Sequence, residues 1–330
     1  MLRFDAWQRG KAVSDVLHGL FPPGPRSVLD VGGGTGESLT LPEEWSVVSV
    51  DIRTAACEDF VCGSADNLPF FYKSFDIAVC LDTLEHLPEN LRSRSITELC
   101  RIAREAIVLT APFHQESVRE AEKAVNDLYV KLHGKPHPWL SEHLKNPLPD
   151  LAATCAIFQA NGWSVSKMPV GFLPIWTLLM LTDPVLESQA GRLETAEKLD
   201  RIYREEIYPA DFCDPAYRTL IVVTKPPLEP LMPQPVVDPA RRAKGTCRLL
   251  TELSTLWTSC IRPQSDEYQG SQEITARYVE RLEQAIASWE VAYGEALALA
   301  EKGHRRIAEL EQRRSFRLYE KAMRWLGREI

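Results

Sequence analysis

"SVLDVGGGTGESL", residues 27–39, sets a short apolar run directly before four glycines in five positions. Valine and leucine in so compact a block favour a buried strand. Glycine gives up both helix propensity and side-chain contacts. It belongs where the chain turns through conformations closed to other residues, or where a ligand lies against bare main chain. A strand ending in such a turn sits at the carboxyl edge of a parallel sheet, where open α/β folds bind ligands.

Working outward, further apolar runs read as strands: "WSVVSVD" (45–51), "DFVCG" (59–63), "FDIAVCL" (75–81) and "EAIVLTAP" (105–112). Between the last two, residues 90–104 carry Leu91, Ile96, Leu99, Ile102 and Ala103 near helical spacing. Continuous apolar strands separated by helical or loop segments predict a parallel sheet covered on both faces. "WSVSKMPV" (163–170) and "YRTLIVVTK" (217–225) read as two later strands, with a mostly helical cap over 171–216.

The composition then shifts. "PPLEPLMPQPVVDP" (226–239) holds six prolines and reads as an extended spacer. The expected organisation is a domain over 1–225, a proline-rich linker over 226–247 and a helical or coiled-coil segment over 248–330. In the last, Val279, Leu282, Ile286, Trp289, Tyr293, Ala296, Ala300, Gly303, Ile307 and Leu310 recur at steps of three and four. That seam, within 271–313, fits self-association, a partner protein, or a single helix packed on its own domain. The basic, apolar-studded tail 314–330 fits peripheral contact with an anionic membrane, a partner, or an ordinary solvated helix.

The 330 residues are 45% hydrophobic and 25% charged, with net charge −8, as in a globular protein of one full domain plus an appendage. The acidic balance argues against nonspecific nucleic-acid binding. Eight cysteines lack a CxxC and fall partly in apolar runs, which predicts reduced thiols and a cytoplasmic setting. The N-terminus lacks a signal-peptide core. "VGFLPIWTLLML" (170–181) is too short to span a membrane and predicts a buried or lid helix.

What lies on the glycines follows from their flanks. A phosphate loop of the Walker type needs Gly-Lys-Ser/Thr, and this run ends Gly-Glu. A dinucleotide fingerprint counted from Gly32 or Gly34 ends at Glu37 or Leu39, and Glu37 would repel a pyrophosphate. Asp30 followed by Gly32, Gly34 and Gly36 suits a phosphate-free ligand with a positive centre, such as S-adenosylmethionine (SAM). Asp51 ends the second strand, where a carboxylate can accept from both ribose hydroxyls. Asp66 and Asn67, in "GSADNLPF" after the third strand, can address the adenine.

At this point "VLDVGGGTGES", "VVSVDI", "GSADNLPFFYKSFDIAVCLDTLEHLPE" and "AIVLTAPF" resemble the successive motifs of class I SAM-dependent methyltransferases. The nearest branch is that of small-molecule enzymes typified by ubiquinone biosynthesis. The resemblance implies an α/β, Rossmann-like, doubly wound seven-stranded sheet of order 3-2-1-4-5-7-6 with its last strand antiparallel. It also implies that Gly32, Gly34 and Gly36 approach the methionine and ribose portions. Asp51, with Ile52 beside it, is implied at the ribose, Asp66 at the adenine, and the Asp82 region along the cofactor. Residues 137–165 and the coiled segment also resemble bacterial proteins of surface-polysaccharide assembly. That ranks a sugar first among acceptors, ahead of a quinone-like or other small metabolite.

Methyl transfer needs the acceptor held in line and water excluded. A hydroxyl acceptor also needs a base, for which histidine is best suited. The candidates are His86 after the fourth strand, His114 after the fifth, and His143 with Glu142 alongside. Phe70, Phe71, Trp139, Phe172 and Trp176 could wall an acceptor pocket or pack the core. His133 and His137 are four apart, but Gly134 and Pro136 interrupt a helix between them, so no metal ligand set is expected. A noncatalytic SAM-binding scaffold acting through its coiled segment is the rival from another class.

Overall fold

The computed structural model describes residues 4–34, 39–53, 59–187, 192–225, 244–246, 248–253 and 256. All lie in the first of two units into which the chain divides, Met1–Cys260 and Ile261–Ile330. The readings at Gly36, Glu37, 226–243, the heptad seam and the basic tail fall outside the described residues.

Seven strands form one sheet: β1 (Ser27–Val31), β2 (Ser46–Asp51), β3 (Phe60–Cys62), β4 (Phe75–Leu81), β5 (Ala103–Ala111), β6 (Ser164–Phe172) and β7 (Ala216–Thr224). Their order is β3-β2-β1-β4-β5-β7-β6. The first five run parallel, and β7 is antiparallel to both β5 and β6. This is the Rossmann-like methyltransferase architecture. The order reverses at β1 and β4, so their carboxyl ends flank the crevice where such sheets take ligands.

Alternation along β1 builds both layers of the core. Val28 packs on one face with Ile77, Val79, Val108 and Val222, beneath Ala12, Val13, Val16 and Leu17 of α1 (Phe4–Leu20). Leu29 faces the other layer with Ala78, Leu109, Ile96, Leu99 and Phe158. There α2 (Glu89–Ile102) and α5 (Leu151–Ala160) cover the sheet. Successive strand side chains point to opposite faces, so a strand buried on both sides reads as unbroken apolar sequence.

Some boundaries differ from the sequence expectation. Helix α2 ends at Ile102 because Ala103 is already extended and paired with Phe75, so β5 begins two residues early. The stretch expected as helix from 170 gives Val170–Phe172 to β6, and α6 (Leu173–Glu187) starts after it. Pro174 then falls in the first turn, where a missing N–H costs no helix bond. No helix among the described residues is long and apolar enough to cross a membrane.

Between β5 and β6 lie α3 (Glu116–His133), α4 (Leu140–Lys145) and α5. Helix α3 stops at Gly134, whose φ of +68° provides the left-handed cap. Asp150 caps α5 by accepting from the Ala153 N–H at 2.7 Å. Helix α7 (Arg192–Ile202) precedes β7. On that side Leu249 and Leu253 are buried, Arg248 pairs with Glu206, and Lys198 pairs with Glu252 at 2.6 Å.

Candidate active site

The β1 turn shows why glycine is needed. Gly32 has φ +79°, and a Cβ there would collide with Thr83. A Cβ on Gly33 would collide with the Asp30 carboxylate. Asp30 is fully buried, and neither carboxylate oxygen has a hydrogen-bond partner among the described residues. Burial, opposed by Arg9, raises its pKa to about 7. A buried acid without a hydrogen-bond partner among the described residues, behind a bare turn, is a candidate seat for a cation. Gly34 has φ +56° with open space where a Cβ would be.

Asp51 ends β2 and is buried; its Oδ1 accepts from the Arg53 N–H at 2.9 Å. Ile52 beside it is 73% exposed. Asp66 accepts from the Ser64 hydroxyl and has Arg94 at 3.9 Å. Asn67 is exposed and bridges back to Ser64. The sheet thus places Asp30 near the carboxyl end of β1, Asp51 at the end of β2 and Asp66 just after β3, on neighbouring strands.

Asp82 follows β4 with φ +42°, an uncommon conformation for a residue other than glycine. Its carboxylate accepts from the Thr110 hydroxyl at 2.8 Å and pairs with Arg218 at 2.8 Å and Arg9 at 3.3 Å. These cations and the hydroxyl overcome burial and hold its pKa down, to about 2. Arg218, on β7 with a side chain wholly buried, also reaches Asp5 at 2.7 Å and Gln8. Gln8 and Tyr203 both meet Asp211. This polar network ties α1 to the end of β4.

Beyond Thr83 the chain makes one short turn, Leu84–His86, which brings His86 to His143 of α4. Their Nε2 atoms stand 3.5 Å apart. His86 Nδ1 meets Glu142 at 2.9 Å, and His143 Nδ1 meets Glu122 of α3 at 2.8 Å. Glu122 also accepts from the Tyr217 hydroxyl at 2.9 Å. Burial and the neighbouring His143 lower the His86 pKa, with Glu142 opposing. Glu85 is buried, its Oε2 has no partner among the described residues, and burial together with Asp82 raises its pKa well above the usual range.

Trp139 packs edge-on to His86 at 5.6 Å and is half-exposed, with the Arg53 guanidinium over its ring at 5.1 Å. Arg53 therefore joins the β2 tip to the histidine cluster. The other aromatics divide. Phe172 and Trp176 are buried, with Trp176 stacked on Tyr217 at 3.5 Å. Phe70 packs edge-on against Phe75, and Phe71 is 91% exposed.

Of the three histidines singled out in the sequence, the structure brings His86 and His143 together. His114 is exposed after β5, its N–H donating to the Pro149 carbonyl at 2.9 Å. His133 and His137 each pack on Tyr129. The sequence reasoning passed over Glu85, Glu122, Tyr217, Arg9 and Arg218. One signal was available: Glu122 lies on the α3 stripe of Val118 and Val125, an acid on an otherwise apolar face.

Residues 29–108 match the family described as "Methyltransferase domain". That portion, about a quarter of the chain, runs from β1 into β5 and is similar to that family's domain. A protein of Arabidopsis thaliana described as "Probable pectin methylesterase CGR2" is 34% identical over 111 residues, spanning 29% of this chain and 42% of that protein. The match thus covers less than half the length of that curated relative.

Among solved structures, YcgJ of Bacillus subtilis is 16% identical, covering 65% of this chain and 98% of its own, with TM-score 0.41. Magnesium protoporphyrin IX methyltransferase (ChlM) from Synechocystis PCC 6803 with bound SAM is 15% identical, covering 67% and 79%, with TM-score 0.38. A SAM-dependent methyltransferase of Thermotoga maritima, titled a possible histamine N-methyltransferase, is 18% identical, covering 68% and 93%, with TM-score 0.42.

Proposed function

We propose that this protein uses SAM to methylate a hydroxyl of a small acceptor, a sugar of surface-polysaccharide synthesis being the preferred class. The observation that carries the cofactor is the buried Asp30 carboxylate, which has no hydrogen-bond partner among the described residues, behind the Gly32–Gly34 turn. SAM supplies a methyl carbon activated by a sulfonium. Asp30 offers its charge to the cofactor's cationic end, and Asp51 offers oxygens to the ribose hydroxyls. Ile52 presents apolar surface to the adenine, whose amino group faces Asp66, with Asn67 alongside. Asp82, held by its two arginines, shapes the backbone lining the cofactor.

The acceptor lies on the Trp139 side of the crevice. His86, oriented by Glu142 at Nδ1, presents Nε2 to the acceptor hydroxyl and takes its proton. His143 and Glu122 fix the facing ring, and His114 is the alternative base at the β5 end. The pectin named for the Arabidopsis relative is itself a polysaccharide, which supports a carbohydrate acceptor. In the same proposal, 1–225 is the catalytic unit, 226–247 a spacer and 248–330 an association segment, in a cytoplasmic protein.

Calorimetry of the full chain with SAM and with S-adenosylhomocysteine tests the cofactor, and heat with neither overturns the proposal. Mass spectrometry of sugar nucleotides and glycans incubated with enzyme and SAM tests the acceptor. A methyl gained on a hydroxyl supports it; methylation confined to nitrogen or to quinone-like acceptors overturns the sugar assignment.

A further inference from the structure

We propose that Glu85, His86 and His143 form a binding site for a divalent transition-metal ion of the zinc type. An ionised carboxylate only accepts hydrogen bonds, so the contacts to Glu142 and Glu122 require both histidines to carry hydrogen on Nδ1. Each neutral ring then aims a lone pair through Nε2, and the two Nε2 atoms face each other at 3.5 Å. Facing lone pairs repel unless positive charge lies between them. A proton shared in an N–H···N bond would draw the nitrogens to about 2.7–3.2 Å. Two imidazoles on one tetrahedral ion, each at about 2.0–2.1 Å, stand roughly 3.3–3.4 Å apart. The observed separation matches the second case.

An independent observation comes from Glu85. It is 1% exposed, and its Oε2 has no hydrogen-bond partner among the described residues. One ligand atom from each of Glu85, His86 and His143 lies within 4.8 Å of the other two. A buried acid with one free oxygen beside two converging lone pairs is the charge balance a cation requires. The surrounding shell is also that of a metal site. Each imidazole is braced at Nδ1 by a carboxylate, and Glu122 is braced in turn by the Tyr217 hydroxyl at 2.9 Å.

The donor set selects the ion. Two imidazole nitrogens with one carboxylate suit zinc and its transition-metal neighbours, whereas magnesium and calcium prefer all-oxygen sets. Three protein ligands leave a fourth position, on the side where His86 is 25% exposed beside Trp139. It would take an oxygen donor, and an acceptor hydroxyl is the group of that kind the methyl-transfer proposal supplies; with the ion in place the His86 Nε2 lone pair is a ligand, and the hydroxyl proton falls to the alternative base, His114. The ion's binding does not rest on that proposal; only the identity of its fourth ligand does.

The test uses the untagged full-length chain, freed of metal by chelator and titrated with Co2+ and Zn2+. One ion per chain, a tetrahedral Co2+ spectrum in the visible, and competition by Zn2+ but not by Mg2+ are expected. His86→Gln and His143→Gln should each weaken binding at least 100-fold, and His133→Gln should leave it unchanged. No stoichiometric binding, an octahedral Co2+ spectrum, or affinity retained in both ligand variants overturns the proposal. Should either variant fail to fold, the wild-type spectrum and histidine 15N shifts at Nε2 on adding Zn2+ decide it alone, and absence of those shifts overturns it. SAM calorimetry on the same samples separates the two proposals: cofactor heat without metal uptake rejects the metal site only.

Discussion

Asp30 and Asp82 follow one another across the sheet, at the ends of adjacent strands β1 and β4, and both carboxylates are almost wholly covered. Their chemistry is opposite. Asp82 is held to about 2 by Arg218, Arg9 and Thr110, while Asp30 rises to about 7 with neither oxygen hydrogen-bonded among the described residues. Desolvation acts on both, and the presence of a close cation decides which side wins. The satisfied aspartate belongs to the framework. The unsatisfied one is the acid that the proposed cofactor's positive charge would meet.

The harshest way to break the contrast is to strip Asp82 of its partner. Arg218→Met removes the wholly buried, nearer cation of both Asp82 and Asp5 and leaves them only Arg9, and thermal or urea unfolding should show a loss of about 3–5 kcal/mol. Survival at wild-type stability would mean that Asp82 was never held by that pair.

Asp30 predicts the opposite sign. Its folded pKa lies above its unfolded value of 3.8, so the protonated acid is favoured in the folded state. Cofactor-free stability is therefore full below pH ~4 and falls as pH rises through about 7, by at most ~4 kcal/mol. Asp30→Asn should remove that slope in unfolding curves at pH 5 and pH 8. It should also abolish the proton release expected when SAM binds near pH 7, read by calorimetry in buffers of differing ionisation enthalpy.

Smaller effects sharpen the ligand side. Asp51→Ala should weaken SAM by about 1.5–3 kcal/mol, if its bonds to the ribose are charge-assisted. Unaltered affinity removes that assignment. Asp66→Asn keeps the shape and removes the charge; a loss near 1 kcal/mol in SAM affinity with little change in Tm is expected. A large fall in stability there would place Asp66 in the framework with Asp82.

Much of the fold was legible because the five parallel strands are apolar on both sides and so stand out as unbroken runs. The acids at 30, 51 and 66 were legible because each follows such a run. Helix α1 was not, since Gln8 and Gly10 interrupt its apolar stripe and both are buried. His86 and His143 were visible singly. Their meeting depends on a short turn after β4 and on α4, elements 57 residues apart in sequence. Glu122, Tyr217 and Arg218 each sit within otherwise apolar patterns, and a single polar residue there carries no sign of its partner.

Sequence alone determined the strand-and-turn grammar: where the backbone is bare, which strand ends are acidic, and hence that an adenosine-bearing cation suits the edge. These are local properties, written in the spacing of apolar, glycine and acidic residues. Tertiary structure decided which acids are already neutralised, which histidines face each other, and that Glu85 is buried with one oxygen left free among the described residues. Charge states and ligand sets depend on distances of a few ångströms between remote segments, and only the packed sheet and its covering helices set those distances.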